Sequence, residues 1–507
     1  MAAADDTPPR IRDAVILGLV LLTFTLKLVV EVNAPIKDDV AWLLHVAQDW
    51  IDGHRLYVSL VELNPPPIIW FSALPVLIGR ALDVSALDVM PVFCGLLVMG
   101  SAWWTASLLV RRGLFHRHAT VFTGIAVILL FVPTGEFGQR EHIIAAAALP
   151  YLALRMRPLR GGTIPAPEAA AAGALVALCC ALKPWYAPAF ILVETVMVVR
   201  GGVLQRVAIC SAIATGTVIA AVALLAHPEY FTEVVPLALK FYLPPPEGLE
   251  RLFPRDAVLL FAGQVVAVCL WWLRRQVRDD GDAILILLLF AFGATGAYFE
   301  QGRGWFYHRI PAATATIGAL LLCAALSWPQ ALRWTRIAAA VLLLAFAGQA
   351  GKRFLPRLVM AADFRDGIEE RLSDLLQREG ARSYLAFSNT LALGFPVVDM
   401  AGTAWASRFA SMWAVRGELQ SIAEADPDAP VSTQARRWVI EDFLAACPDV
   451  VVVDTGSETD YPAVLSAADP AFARAWAGYV RIGRFDGLLA YRRAPGAAPC
   501  ESRPDGS

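Results

Sequence analysis

Ile36-Lys37-Asp38-Asp39-Val40 stands directly after an apolar run from about residue 13 to 32, and Asn64-Pro65-Pro66-Pro67 follows a little further on. The run is long enough to cross about 30 Å of hydrocarbon. It lacks a small-residue cleavage site, so it reads as a retained span rather than a removable leader. Two carboxylates at the exit of a membrane span are costly to place there, and ionisable residues in such positions mark functional sites by default.

The rest of the chain agrees with a membrane setting. Of 507 residues, 57% are hydrophobic and 17% charged, too apolar a balance for one soluble globule. The formal net charge of −2 gives no field that would gather nucleic acid. The first run and ten further apolar stretches, at 86–110, 119–135, 142–155, 168–183, 185–199, 207–227, 256–273, 283–299, 310–326 and 335–350, read as eleven spans. Basic clusters at 111–118, 155–160, 200–206, 274–278 and 333–336 all fall on one side if the N-terminus is cytoplasmic. Residues 68–79 carry only about a dozen apolar positions, too few to cross, and read as a half-inserted or interfacial helix that starts at Pro67. Val40, Leu43, Leu44, Ala47 and Ile51 recur at helical spacing, which predicts an amphipathic surface helix.

With this topology the cytoplasmic loops are short and basic, whereas the outer loops mix acids, His, Arg, Trp and Tyr. A site with chemistry is therefore expected on the outer face. After Gly351 the composition becomes ordinary. A helical stripe at Ile368, Leu372, Leu375 and Leu376, and strands at 384–387, 449–454 and 488–491, predict a small α/β domain over 360–497. The expected division is a membrane domain over 1–351, with its first outer loop at 34–85, then the α/β domain outside the cytoplasm, then a disordered tail at 498–507. Cys447 and Cys500 lie in that outer part and are placed to form a disulfide there. Six other cysteines read as small buried hydrophobes.

At the first loop the residues reach a family. The order is a first span, the pair Asp38-Asp39, a surface helix ending at Gly53, then Tyr57, then Asn64-Pro65-Pro66-Pro67 opening a short helix. This resembles the GT-C superfamily of membrane glycosyltransferases, most closely its aminoarabinose-transferase and protein-mannosyltransferase branch. Members there have Asp-Glu at the acidic pair and Lys-Pro-Pro where this chain has Asn64-Pro65-Pro66. The resemblance implies a polytopic α-helical membrane protein of about eleven transmembrane helices with a small periplasmic α/β C-terminal domain. It also implies an inverting transfer of sugar from a polyprenyl phosphate, at the outer face of a bacterial inner membrane, to a glycolipid, polysaccharide or protein. The family's first acidic residue is its catalytic one, which falls on Asp38.

The chemistry sets further expectations. A carboxylate must take the acceptor's hydroxyl proton, and cations or strong donors must stabilise the departing phosphate. Asp38 is the expected base, with Asp39 orienting it or capping the helix that follows. Arg140, Glu141, His142, Lys183, Arg303, His308 and Arg309 are the expected contacts to donor phosphate or sugar, with Trp305 and Tyr307 as apolar walls. Glu141 beside His142 is a poor metal signature, so a divalent ion is possible but no cofactor is required. Lys27 and Glu31 are spaced to pair with each other, and Glu194 has no evident partner. Lys240, Tyr242 and Pro244-Pro245-Pro246 lie in the longest outer loop, and Trp405, Ser407 and Arg408 in the α/β domain are candidates to meet an acceptor. Gly348-Gln349-Ala350-Gly351-Lys352-Arg353 lacks the spacing and the hydroxyl of a phosphate-binding loop, so a nucleotide donor is not expected. The rival readings are a transporter or flippase of lipid-linked sugars, a non-catalytic envelope sensor or assembly protein, and another polyprenyl-linked enzyme such as an O-antigen ligase. A transporter would carry charges buried mid-span and paired half-broken spans in two repeats, whereas the sequence shows neither an internal repeat nor a midplane cluster and gathers its unusual residues at one face.

Overall fold

A computed structural model describes residues 9–156, 164–201, 205–242, 248–275, 282–325, 333–362, 367–424, 433–497 and 500. Pro244-Pro245-Pro246, the basic residues at 157–160 and 278, and the tail apart from Cys500 lie outside them.

In chain order the helices are α1 (Pro9–Asn33), α2 (Asp38–Ile51), α3 (Pro66–Leu82), α4 (Ala86–Arg111), α5 (His118–Phe131), α6 (Arg140–Arg155), α7 (Ala166–Leu182), α8 (Ala187–Val199) and α9 (Arg206–Ala226). A short α10 (Val235–Leu237) sits between two wider turns and leads to α11 (Arg255–Arg275), α12 (Asp282–Gln301), α13 (Ile310–Ala325) and α14 (Arg333–Ala362). The remainder is α15 (Ile368–Arg378), β1 (Ser383–Phe387), α16 (Val397–Ala401), β2 (Ala404–Trp405), α17 (Trp413–Glu424), α18 (Gln434–Ala446), β3 (Val450–Asp454), α19 (Tyr461–Ala468), α20 (Pro470–Trp476), β4 (Tyr479–Phe485) and β5 (Leu488–Arg493).

Each of the eleven apolar stretches is a helix. Seven helices, among them α1, α9, α11, α12 and α14, are long and apolar enough to cross a membrane, and α5, α7 and α8 are shorter apolar helices. The protein is a multi-pass helical membrane protein. Two differences from the sequence reading have local causes. α3 is 17 residues long and begins at Pro66, because Pro66 and Pro67 occupy its first positions, where proline's fixed φ is already helical and its missing N–H costs nothing. α14 does not stop near residue 350 but runs 30 residues to Ala362, carrying Arg353 and Arg357 along one face to carboxylates on other helices.

Two compact units form. The first comprises 1–34, 88–222 and 246–362, and the second 35–87, 223–245 and 363–507. In the first unit α12 packs against α8, α11 and α13, and α6 packs against α7 and α13. α6 and α12 are buried over most of their surface. α14 has only 6% of its apolar window buried, so it turns a hydrophobic face outward. Gly293 of α12 marks a close helix crossing, since a Cβ there would lie 2.3 Å from the Ala189 Cα of α8. Small residues at such crossings let the backbones approach and gain dispersion, the main packing force between helices in lipid.

Ion pairs fix which helix ends meet. At one end Arg111 pairs with Glu168, Arg200 with Asp282 at 3.1 Å, and Arg155 with Glu194 at 2.6 Å. Glu194 thus has a partner, and the Tyr151 hydroxyl donates to it as well. At the other end gather the C-terminal ends of α1, α7 and α14 and the N-terminal ends of α6, α11 and α13.

In the second unit a five-stranded sheet runs in the order β2-β1-β3-β5-β4, with β2, β1 and β3 parallel and β3, β5 and β4 antiparallel. Tyr384, Leu385 and Phe387 of β1 and Val450, Val451 and Val452 of β3 are fully buried, as continuous apolar strands of a covered parallel sheet must be. Leu372 and Leu376 seat α15, and a disulfide joins Cys447 to Cys500.

Candidate functional site

Within the second unit, α2 begins at Asp38, two residues earlier than its apolar stripe suggests. Asp38 and Asp39 occupy the first turn, where the helix dipole favours carboxylates. The Asp38 Oδ1 accepts the Asp39 backbone N–H at 2.9 Å and lies 3.2 Å from the Lys37 Nζ, while 18% of the side chain stays exposed. Asp38 is therefore oriented by its own helix and a neighbouring cation, yet remains reachable.

The loop that follows is pinned by a residue the sequence reading passed over. Glu62 is 2% exposed, and its carboxylate accepts from the Trp42 indole N–H on α2, from the Asn64 backbone N–H at 2.6 Å and from the Asn64 side-chain amide. The Tyr57 hydroxyl donates to the Asn64 carbonyl at 2.7 Å. Burial first, then the Glu62 charge, holds the Tyr57 phenol well above its ordinary pKa, so it stays a donor. Asn64 thus serves the turn that launches α3. The signal for Glu62 was a lone acid in the apolar stretch Val58 to Leu63.

Nearby, His227 lies among the rings of Trp50, Tyr57 and Trp70, and its Nε2 accepts from the Trp70 indole at 3.2 Å. Burial lowers its pKa against a weaker pull from Glu229. His45 of α2 meets Asp399 of α16 at 3.0 Å. In the α/β part, Arg408 is spent on Asp442 at 2.7 and 2.9 Å, and the Trp405 indole on the Phe409 carbonyl.

Within the first unit, most of the residues expected to meet phosphate collect at one end of the helices. Glu141 at the start of α6 is fully buried and pairs with the Lys183 ammonium at the end of α7. The His308 Nε2 lies 3.8 Å from the same Glu141 oxygen. The charges of Lys183, Arg140, Arg303 and Arg309 all act on His308. Tyr307 lies 5.6 Å from the Lys183 ammonium, Trp305 sits under Arg303, and the Tyr186 hydroxyl holds the His308 carbonyl. The loop that delivers them turns at Gly304, whose φ of +69° and close approach to the Arg251 carbonyl exclude a side chain.

Two expected contacts go elsewhere. His142 has one ring nitrogen 3.2 Å from the Gly138 backbone N–H and the other 2.9 Å from the Leu129 carbonyl, so it pins the loop before α6 and has no nitrogen left for a metal shared with Glu141. Arg309 turns away from His308, and its Nη2 reaches the Asp256 Oδ2 of α11 at 2.8 Å. Lys27 and Glu31 pair as their spacing predicts, and Glu31 also takes Arg357 of α14 at 2.7 Å. Among the described residues no group of three or more His, Cys, Asp and Glu is arranged to hold a metal ion.

No family model and no curated protein matches this sequence. Solved structures do resemble it. ArnT from Cupriavidus metallidurans, solved bound to undecaprenyl phosphate, aligns with a TM-score of 0.56 at 12% identity, covering 96% of this chain and 98% of that one. The archaeal oligosaccharyltransferase AglB from Archaeoglobus fulgidus, in complex with an inhibitory peptide and a dolichol-phosphate, aligns at 0.50 and 12%, covering 96% and 75%. The chain has a GT-C-like fold.

Proposed function

We propose that this protein is an inverting glycosyltransferase that takes a sugar from a polyprenyl phosphate. The observation that carries the reading is the buried Glu141–Lys183 pair with His308 beside it, and the charges of Arg140 and Arg303 close to His308, at one end of a GT-C-like helical unit. Charges buried among membrane helices are expensive, and functional demand is the usual reason they persist. The ligands of ArnT and AglB, undecaprenyl phosphate and dolichol-phosphate, support a lipid-linked donor.

In this account the Asp38 carboxylate takes the proton from an acceptor hydroxyl. The hydroxyl oxygen attacks the anomeric carbon from the face opposite the phosphate, and the bond from that carbon to the phosphate oxygen breaks. The polyprenyl phosphate leaves with the electron pair, and a leaving group of that charge calls for cations or strong hydrogen-bond donors. Glu141 offsets part of the cluster's positive charge while holding Lys183 in place. Asp39 positions the helix start. The family resemblance implies a bacterial inner membrane, the basic clusters favour a cytoplasmic N-terminus with the α/β domain outside, and the Cys447–Cys500 disulfide fits a position outside the reducing cytoplasm. The acceptor is a glycolipid, a cell-envelope polysaccharide or a protein. The test is transfer from a panel of synthetic polyprenyl-phosphate sugars in nanodiscs with an envelope extract as acceptor. Transfer that requires Asp38 supports the reading, and a wild-type protein inert on every donor overturns it.

A further inference from the structure

His308 and Arg309 are consecutive, yet they serve opposite sides of the start of α13. His308 faces Glu141 and Lys183, whereas Arg309 faces Asp256 and a cavity between α11, α13 and α14. The cavity encloses about 50 Å³. Its polar end is Arg309, Arg353, Asp256 and Gln349. The Arg309 and Arg353 guanidiniums both reach the same Asp256 Oδ2 at 2.8 Å, so one carboxylate faces two cations. Arg309 is only 4% exposed, and its Nε and Nη1 have no hydrogen-bond partner. A buried guanidinium with two idle donors is costly unless an acceptor meets them. The other end is apolar, lined by Leu259, Leu260, Ile317 and Phe346. Gln349 and Arg353 are one turn apart on α14, the helix with the most outward-facing apolar surface of the seven long ones.

We propose that this cavity binds an anionic membrane phospholipid, distinct from the glycosyl donor, with its phosphate against Arg309 and Arg353 and an acyl chain against the apolar wall. Inorganic phosphate alone would gain nothing from that wall, and a zwitterionic lipid would bring a cation of its own beside two arginines that share one carboxylate. The donor has its own cluster on the other side of α13, and one sugar phosphate cannot neutralise both. Arg353 is 38% exposed at the cavity's edge and offers the headgroup its entry.

The test measures binding rather than transfer, so it stands or falls apart from the proposed activity. The full chain is delipidated in detergent, and phosphatidylglycerol, phosphatidylcholine, undecaprenyl phosphate and inorganic phosphate are each titrated, read by native mass spectrometry and thermal midpoint. Phosphatidylglycerol is expected to bind and raise the midpoint where phosphatidylcholine and inorganic phosphate do not. Arg353→Gln is expected to weaken it by about tenfold or more, in line with the loss of one charge-assisted contact. Ala350→Phe, which leaves every charge in place and fills the apolar end, is expected to do the same, and it keeps the test valid if Arg353→Gln folds poorly. Equal binding of phosphatidylcholine, or undiminished phosphatidylglycerol binding in both variants, overturns the proposal. So does undecaprenyl phosphate binding that depends on Arg353 and Ala350 while phosphatidylglycerol binding does not, since the cavity would then belong to the donor.

Discussion

Replacing Glu141 with Gln tests how the cationic cluster is held. Glu141 has a fully buried side chain, and the Lys183 side chain paired with it is 10% exposed. Removing the carboxylate charge strands an ammonium among α6, α7 and α13, where little water reaches it. Breaking a buried pair from one side costs about 3–5 kcal/mol, because the surviving charge keeps its desolvation penalty and loses its compensation. Translated through ordinary unfolding entropies for a chain of this size, this is a fall in thermal midpoint of roughly 3–8 °C. The assay is the midpoint of purified protein in detergent across a double-mutant cycle. Lys183→Met alone strands the carboxylate and should cost a similar amount. Glu141→Leu with Lys183→Met removes both charges and should recover to within about 1–2 kcal/mol of wild type, since apolar replacements of buried pairs are often neutral. Sugar transfer should stay abolished in the recovered double variant, which separates holding the fold from holding the phosphate. A Glu141→Gln protein that melts with the wild type, or cycle terms that simply add, would refute the claim that the two groups are coupled in a dry site.

Further outcomes follow from the second unit. Glu62→Ala leaves the Trp42 and Asn64 donors buried without their acceptor, so a loss of about 2–4 kcal/mol and faster proteolysis between residues 53 and 66 are expected, with α2 remaining helical by circular dichroism. His227 is held below its ordinary 6.5, so its contribution is complete above that pH and shrinks as pH falls toward the folded value, because the unfolded chain takes the proton first. The drop in thermal midpoint from pH 8 to pH 5.5 should therefore be larger in wild type than in His227→Gln. The disulfide closes a loop with a sequence separation of 53, so Cys447→Ser should destabilise the α/β part by up to about 4 kcal/mol in chain-entropy terms, read by denaturant unfolding with and without reductant.

The eleven helices of the first unit were legible as apolar stretches, and seven helices of the described residues have the length and hydropathy to cross a membrane. The strands were legible for a similar reason: Val450 to Val453 is too apolar and too β-branched to be anything but buried sheet. Helix ends were harder. Arg353 and Arg357 looked like the end of a span, and only Asp256 and Glu31, some hundred and three hundred residues away, let α14 continue past them. The same holds for site residues. Residue type and loop position brought Glu141, Lys183 and His308 onto one short roster, and the fold brings them together. Nothing in one sequence tells a histidine beside a buried ion pair from one that pins a loop, so His142 and His308 read alike. Arg309 beside His308 suggested one shared anion, but successive residues at a helix start point in different directions. Glu62 and His227 act through buried partners distant in sequence and leave only faint traces there. The grouping of the first loop with the C-terminal segment in one unit has no local signature at all.

The most direct test of the central claim is sugar transfer from polyprenyl-phosphate donors by wild type and by Asp38→Asn, in nanodiscs, with folding of both verified by melting. Wild type should transfer one donor's sugar with inversion at the anomeric carbon, and Asp38→Asn should lose roughly 10²–10⁴-fold in rate while still binding the donor, as expected for loss of a general base. An Asp38→Asn protein that transfers at the wild-type rate would contradict the account.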